Sequence, residues 1–461
     1  MDTIDVDAIA LSAKRHRRRR RSLLAGAGSL VVVGAVVLAM TLTGRSPTTR
    51  PEPPLAGGFA VHERVGGAVQ LVAGVTPVLA ADPVAQAATA RAEQAFTIAL
   101  LQQAGAAAHD ANVVLSPSSL AIALAMLQNG ASGTTHDQIA KALQTAGQTD
   151  GQQNAGWASL AADLSAAGGA DGISVQSANS LWLQRGLAMN PAFMAAMGRS
   201  YQAGVWQVDF ANALKAATES INSWTSRHTN GKITKLFDDG TLDPTTLLVL
   251  ANAVYFKADW QSPFDANRTS QGQFTRANGT TAGVQFMSGA PGPWQLATSP
   301  QLDAVQLPYK GGRFAALLVM PKQQPLSEYV SGLTTAQLDG VVGSLSAQPA
   351  ILEVPKVKAS TYTQLNNILK AMGMSTAFTD SADFSRLSST PTKVASVVQR
   401  DYLAIDEKGT EAAAVTGIQL QPSSAFAGPS LSFDHPYLFL VRDTKTGTVL
   451  FAAEIQDPTA G

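Results

Sequence analysis

Residues 407–422 read Glu-Lys-Gly-Thr-Glu-Ala-Ala-Ala-Val-Thr-Gly-Ile-Gln-Leu-Gln-Pro. Every second residue from Thr410 (Thr410, Ala412, Ala414, Thr416, Ile418, Leu420) is small at one end and apolar at the other. The opposite face holds Glu411, Ala413, Val415, Gly417, Gln419 and Gln421. Such alternation describes a strand with one face buried in a sheet. Yet Gly409 precedes the segment, Pro422 ends it, and Ser423, Ser424 and Ala425 lead to Gly428-Pro429, all loop signals. A segment written as a strand and punctuated as a loop is suited to exchange between the two states. Taken alone, it reads more simply as an edge strand beside a long loop; the rest of the chain reverses that preference.

The chain has 461 residues and is 45% hydrophobic, enough to bury a large core. Cysteine is absent, so disulfides, thiol nucleophiles and cysteine metal sites are excluded. Charge is formally balanced, but seven basic residues lie between Lys14 and Arg21; without them, 26 basic residues face 33 acidic ones. The remaining chain is mildly acidic, so nucleic acid is not an expected partner. Directly after the basic run, residues 23–43 carry no charge and are long enough for a helix to cross a bilayer. Arginines before it would keep that end in the cytoplasm. An uncleaved anchor is favoured over a signal peptide, because no small-x-small site follows the apolar run. The expected organisation is a basic cytoplasmic segment (1–22), a transmembrane helix (23–43), an extracytoplasmic linker (44–83) and one domain (84–461). The expected location is therefore a single-pass cell-membrane protein with its domain outside.

Within the domain, helices are expected first: Val84–Ala104, Ser118–Gln128, a helix opened by a capping box at Thr135–Gln138, and Ala213–Thr229. In the linker, Ala68–Val78 is apolar enough to form a strand or dock on the domain. Strands dominate later. Leu247–Phe256 is a nearly unbroken apolar run, and two hairpins turn at Lys310–Gly312 and Asp443–Gly447. Helices first and strands later, without regular alternation, indicate an α+β domain.

Catalytic motifs are missing. Lys445-Thr446-Gly447 matches a motif of acyl-serine enzymes, but no serine has lysine three positions on, so a hairpin turn is the better reading. No Gly-x-Ser-x-Gly occurs, and the six histidines are scattered. No catalytic residue, metal site or cofactor is expected, and the chain is not expected to be an enzyme.

Several motifs stand in a shared order: Val113–Ser119, Gly130-Ala131, Val208-Asp209-Phe210, Ile221–Trp224, Thr229–Ile233, Leu250–Trp260, Leu307-Pro308-Tyr309, Val354-Pro355-Lys356, Ala382–Ser385, the 407–416 segment and Phe451–Pro458. In this order they resemble the serpin family of serine protease inhibitors over about residues 84–458. The resemblance implies a fold of eight or nine helices around three β-sheets, with an exposed reactive-centre loop. It implies a monomer that traps a serine protease as a covalent acyl-enzyme while the cut loop inserts into the central sheet. Small residues suit the start of insertion, and Ile418 and Leu420 would each add roughly 1.5–3 kcal/mol once buried. The new ladder bonds bring the gain to the order of 10 kcal/mol, so the native form would persist kinetically.

Carried over by motif, the hinge is Gly409, Thr410, Glu411, Ala412, Ala413, Ala414, Val415 and Thr416. Counting from Glu407 puts the scissile bond at Ser423–Ser424; counting back from Phe433 puts it near Ala425. Small residues there suit elastase-like or subtilisin-like targets, whereas Phe426 would suit a chymotrypsin-like enzyme only in a longer loop. No Arg or Lys lies between Glu411 and Asp434, which disfavours trypsin-like targets. Ser116, Ser119 and Asn252 match the shutter beneath the sheet centre; a helix cap and a satisfied buried amide are the plainer readings. Trp260, Lys356 and Glu407 match the breach, with the last two as an ion pair. Departures are Gln399 at a shutter position often held by histidine, Ala258 for glycine, Tyr437 for Phe, Phe384 for Leu, and Val415 for alanine. The basic face of heparin-binding relatives is missing around Gln138–Ala162, so no glycosaminoglycan is expected. The alternative is a non-inhibitory serpin acting as an extracellular binding module.

Overall fold

The computed structural model describes residues 59–72, 75–76, 82–167, 174–203, 205–289, 292–410 and 429–460. All belong to the compact unit Val33–Gly461; the unit Met1–Val32 lies outside them.

Two antiparallel strands come first, β1 (Ala60–Val65) and β2 (Ala68–Val72). The turn between them uses Gly66 at φ 57°, a conformation glycine adopts without strain. Helix α1 (Pro83–Ala108) starts at Asp82, whose carboxylate accepts the Ala85 N–H, with proline in the first turn. Strand β3 (Val113–Leu115) leads into α2 (Pro117–Gly130), α3 (Gly133–Ala142) and α4 (Asp150–Ala167). Next come β4 (Ser174–Gln184), α5 (Pro191–Ala196), β5 (Val205–Val208) and α6 (Phe210–His228). The second half is mostly strand: β6 (Leu248–Asp259), β7 (Ser270–Thr275), β8 (Thr281–Ser288), β9 (Gly292–Thr298), β10 (Leu302–Pro308) and β11 (Phe314–Pro321). Helices α7 (Leu326–Ser331) and α8 (Thr335–Ser344) precede β12 (Ser346–Pro355) and β13 (Val357–Gln364). Helix α9 (Asn366–Ala371), β14 (Ser396–Asp406), β15 (Gly409–Thr410), β16 (Ser430–Ser432), β17 (Tyr437–Asp443) and β18 (Val449–Ile455) complete the described chain.

An eight-stranded sheet runs β1-β2-β5-β4-β6-β15-β14-β13. A second network runs β3-β18-β17-β11-β10-β9-β12-β8-β7, with β16 on β12. Strand β12 pairs with β9 over Ser346–Ala350 and with β8 over Glu353–Pro355, so this network divides into two sheets. Nine α-helices and three sheets among the described residues agree with the expected α+β fold.

Helix α2 is buried almost all round, including Ser118, Ser119, Gln128 and Asn129. It lies under the eight-stranded sheet, on the core face of β4 and β6. Helix α6 covers the other face: Trp224 meets Trp182 edge-on at 5.7 Å, and Trp182 stacks on Trp206 at 4.9 Å. Both expected hairpins form, as β10–β11 and β17–β18.

Three expectations are amended. The expected capping box at Thr135 is not one. Helix α3 begins at Gly133 after Ser132, and the Thr135 hydroxyl instead accepts the Asp383 N–H at 2.9 Å. The box that does form is at Thr334 and Gln337, opening α8. Residues 60–72, read as linker, form a hairpin that joins the sheet through β2 and β5. The single-pass membrane location, with its transmembrane partner surface, is corrected: among the described residues no helix is long and apolar enough to cross a membrane. The runs 1–22 and 23–43 on which that location rested lie outside the described residues.

Candidate functional site

The site grows from how the chain turns after β14. Asp406 Oδ1 accepts the Lys408 N–H at 2.8 Å and the Gly409 N–H at 3.3 Å, closing a tight turn through Glu407 and Lys408. The turn sends β15 back between β14 and β6, antiparallel to both. Gly409 pairs with Asp259 and Asp406; Thr410 pairs with Ala258 and Ile405. A Cβ on Gly409 would lie 2.0 Å from the Ala258 carbonyl oxygen and 2.8 Å from Asp259 Cα, so only glycine fits against this backbone.

Trp260, one of the expected breach residues, holds the turn from below. Its indole N–H donates to the Asp406 carbonyl at 2.9 Å and its backbone N–H to the Lys408 carbonyl at 2.7 Å. Its ring stacks on Tyr309 at 4.6 Å, and the Tyr309 hydroxyl lies 2.6 Å from Thr410 Oγ1. Burial pushes the Tyr309 phenol far up, so it remains a neutral hydrogen-bonding group.

Lys356 and Glu407 do form an ion pair, at 2.9 Å and 3.0 Å to the two carboxylate oxygens. The Thr269 hydroxyl donates to the same carboxylate at 2.7 Å. Burial raises the Glu407 carboxyl, but these bonds outweigh it and hold the net value below the ordinary range.

Lower in the sheet, β6 and β14 pair directly and in parallel from Ser396↔Val249 to Asp401↔Val254. Here Ser119, Asn179, Asn252 and Gln399 form one polar cluster. Asn252 Nδ2 donates to Ser119 Oγ at 2.6 Å and to Asn179 Oδ1 at 2.5 Å; Ser119 Oγ donates to Asn179 Oδ1 at 2.6 Å. Gln399 Nε2 donates to Asn252 Oδ1 at 2.6 Å and to the Ser116 carbonyl at 3.0 Å. The Ser116 hydroxyl donates to the Leu450 carbonyl at 2.7 Å, tying α2 to β18, and makes no cap bond. Glutamine therefore clamps the two strands together, as each group in this buried network has a partner.

Sequence reading missed Asn179, Thr269 and Asp401, and it named Tyr309 only within a motif, without a role. Asn179 and Asp401 carried a signal, since each breaks the apolar pattern of its strand at an inward position. Hinge positions 411–416 and the bond Ser423–Ser424 lie outside the described residues. Lys445 lies in the β17–β18 turn, its ammonium 2.9 Å from Asp163. No cluster of metal-ligating side chains occurs among the described residues.

The family model described as Serpin (serine protease inhibitor) matches residues 91–458. Serpin-Z1B of Triticum aestivum is 32% identical over 371 residues, covering 75% of this chain and 90% of its own. Plasminogen activator inhibitor 1 of Bos taurus is 33% identical over 381 residues, covering 81% and 93%. Among solved structures, human thyroxine-binding globulin complexed with thyroxine aligns with a TM-score of 0.73 at 27% identity, over 81% of this chain and all of that one. The native state of the thermophilic serpin Tengpin aligns with a TM-score of 0.74 at 23% identity, over 84% and 97%.

Proposed function

The chain belongs to the serpin family, and from that premise we propose that it is a suicide inhibitor of serine endopeptidases. It is not an enzyme, since its family model and relatives are described as serpins and inhibitors. A target protease attacks the loop at Ser423–Ser424 and is held as the acyl-enzyme while the loop inserts between β6 and β14. Residues 84–461 make up the inhibitory domain, with residues 60–72 adding its edge hairpin.

One observation carries this reading. Strands β6 and β14 keep the same offset above and below the point where they part: Ile405 and Ala258 flank Thr410, while Asp401 pairs directly with Val254. A strand continuing from Thr410 needs the two to separate but not to slide. In that register position 412 would fall between Leu403 and Phe256, and position 416 between Gln399 and Asn252. Ala412 and Ala414 would then enter without displacing bulk. Thr416 would bring a hydroxyl to the polar cluster in exchange for the Gln399–Asn252 bond. Ile418 would arrive beside Val397 and Leu250, in apolar surroundings. Gly409 and Thr410 act as the start of the hinge, Trp260 with the Lys356–Glu407 pair as the breach, and Ser116, Ser119 and Asn252 as the shutter.

The test is incubation of the full chain with subtilisin or an elastase. A complex stable on a denaturing gel, with release of a C-terminal peptide starting at Ser424, is the expected result. Cleavage without any complex across several serine proteases would refute inhibition. It would favour a second reading, a binding serpin, which the likeness to thyroxine-binding globulin supports.

A further inference from the structure

Asp401 plays no part in the inhibition just described. It sits on β14 in the last direct pair with β6, at the fork where the two strands part around β15. Its side chain is fully enclosed, and neither carboxylate oxygen has a hydrogen-bond partner. Alternation along β14 puts it on the core face with Val397, Gln399, Leu403 and Ile405.

The groups facing it from neighbouring elements do not ionise. Strand β13 presents Val357, Ala359 and Thr361, and the Thr361 hydroxyl, on the residue paired with Asp401, is already given to the Val114 carbonyl at 2.6 Å. Strand β3 carries only Val113, Val114 and Leu115, none of which ionises on either of its faces, and β6 presents Asn252 and Phe256. From β18 come Phe451 and Ala453, while Glu454 lies against Gly105 of α1. Tyr309, further up the groove, is held neutral and bonded to Thr410. On the outer face of β14, Arg400 lies over the Tyr362 ring and Tyr402 under Lys232. Nothing compensates a charge on Asp401, and burial alone keeps its carboxyl well above the ordinary range.

We propose that Asp401 is a proton-operated latch on the eight-stranded sheet: protonated, it lets the fork between β6 and β14 stay shut, and loss of its proton drives the fork open. This rests on the strand-insertion reading above. An ionised, unpartnered carboxylate in the closed sheet is costly, and parting the strands lets water reach it. Opening therefore releases one proton. Below the ordinary carboxylate value, about pH 4, both states hold the proton and pH has no effect. Above it, opening becomes favoured by about tenfold per pH unit until the raised closed-state value is reached, and then levels off.

The experiment follows entry of a rhodamine-labelled, N-acetylated peptide copying residues 410–421 into the full chain by anisotropy, from pH 5 to pH 8. The wild-type rate is expected to rise at least tenfold across this range, while Asp401→Asn stays flat and slow. The peptide's own Glu411 titrates identically in both. Parallel profiles for the two chains, or a flat wild-type profile whatever the variant does, would overturn the latch and leave the insertion reading intact. No entry into either chain at any pH would overturn both.

Discussion

Replacing Thr410 by arginine should turn the chain from an inhibitor into a substrate. Thr410 is 2% exposed and its hydroxyl lies 2.6 Å from that of Tyr309. Losing that partner leaves a buried phenol unsatisfied, at about 1–3 kcal/mol. Enclosing an unpaired guanidinium adds several kcal/mol more. Against this, β15 offers two residues of ladder at about 1 kcal/mol per bond. The turn before it is held separately, by the N–H groups of Trp260 and Phe264 donating to the Lys408 and Glu407 carbonyls, both at 2.7 Å. The penalty exceeds the hold on β15, so residue 410 stays outside and insertion begins over a barrier several kcal/mol higher. Each 1.4 kcal/mol shifts the competition between trapping and hydrolysis about tenfold. Measured as complex on a denaturing gel and as moles of inhibitor consumed per mole of protease, trapping should fall at least tenfold while cleavage continues at the same bond. Thr410→Val keeps the shape and loses only the hydroxyl, so it should be impaired by the roughly 1–3 kcal/mol of the stranded phenol alone and trap better than the arginine variant. An arginine variant that traps as well as wild type would show that β15 is not where insertion starts.

Gly409→Ala forces a Cβ into the Ala258 carbonyl, so hydrogen exchange at Thr410 should accelerate and complex yield should fall several-fold. Gln399→Leu strands Asn252 Oδ1 and the Ser116 N–H, which donates to Gln399 Oε1, and should cost about 2–4 kcal/mol, seen as a lower urea midpoint. Glu407→Gln removes the Lys356 pair and should lower Tm by about 1–2 °C at pH 7, for a loss near 1 kcal/mol in a domain of this size. Because this carboxyl is depressed in the fold, its contribution is present above the ordinary glutamate value and lost as pH falls through the depressed one. The wild-type advantage should therefore vanish in scans at strongly acid pH.

The turn was legible in part because its punctuation is local, with Gly409 standing as a loop signal before a strand-like alternation. The Tyr309 hydroxyl that meets Thr410 lies 101 residues away, and spacing gives no sign of it. The Lys356–Glu407 pair was legible only through the resemblance, since 51 residues separate its members. The polar cluster was half legible. Ser119 and Asn252 followed from motif, and Gln399 stood out as a departure, but no rule of spacing tells which inward polar residues of four distant segments will meet. Thr135 shows the opposite failure. A valid capping pattern was outbid by a tertiary bond to Asp383, because the helix had already begun at Gly133.

The β1–β2 hairpin gives the molecule a ruler. It makes one rim of the eight-stranded sheet and β13 the other, with the fork between them. Adding a strand at the fork must move the rims apart by one inter-strand spacing, about 4.8 Å. Val61 on β1 and Tyr362 on β13 are both exposed, at 40% and 37%, and can carry probes without entering the core. The distance between two such probes would count strands in the sheet directly, in the absence of any protease.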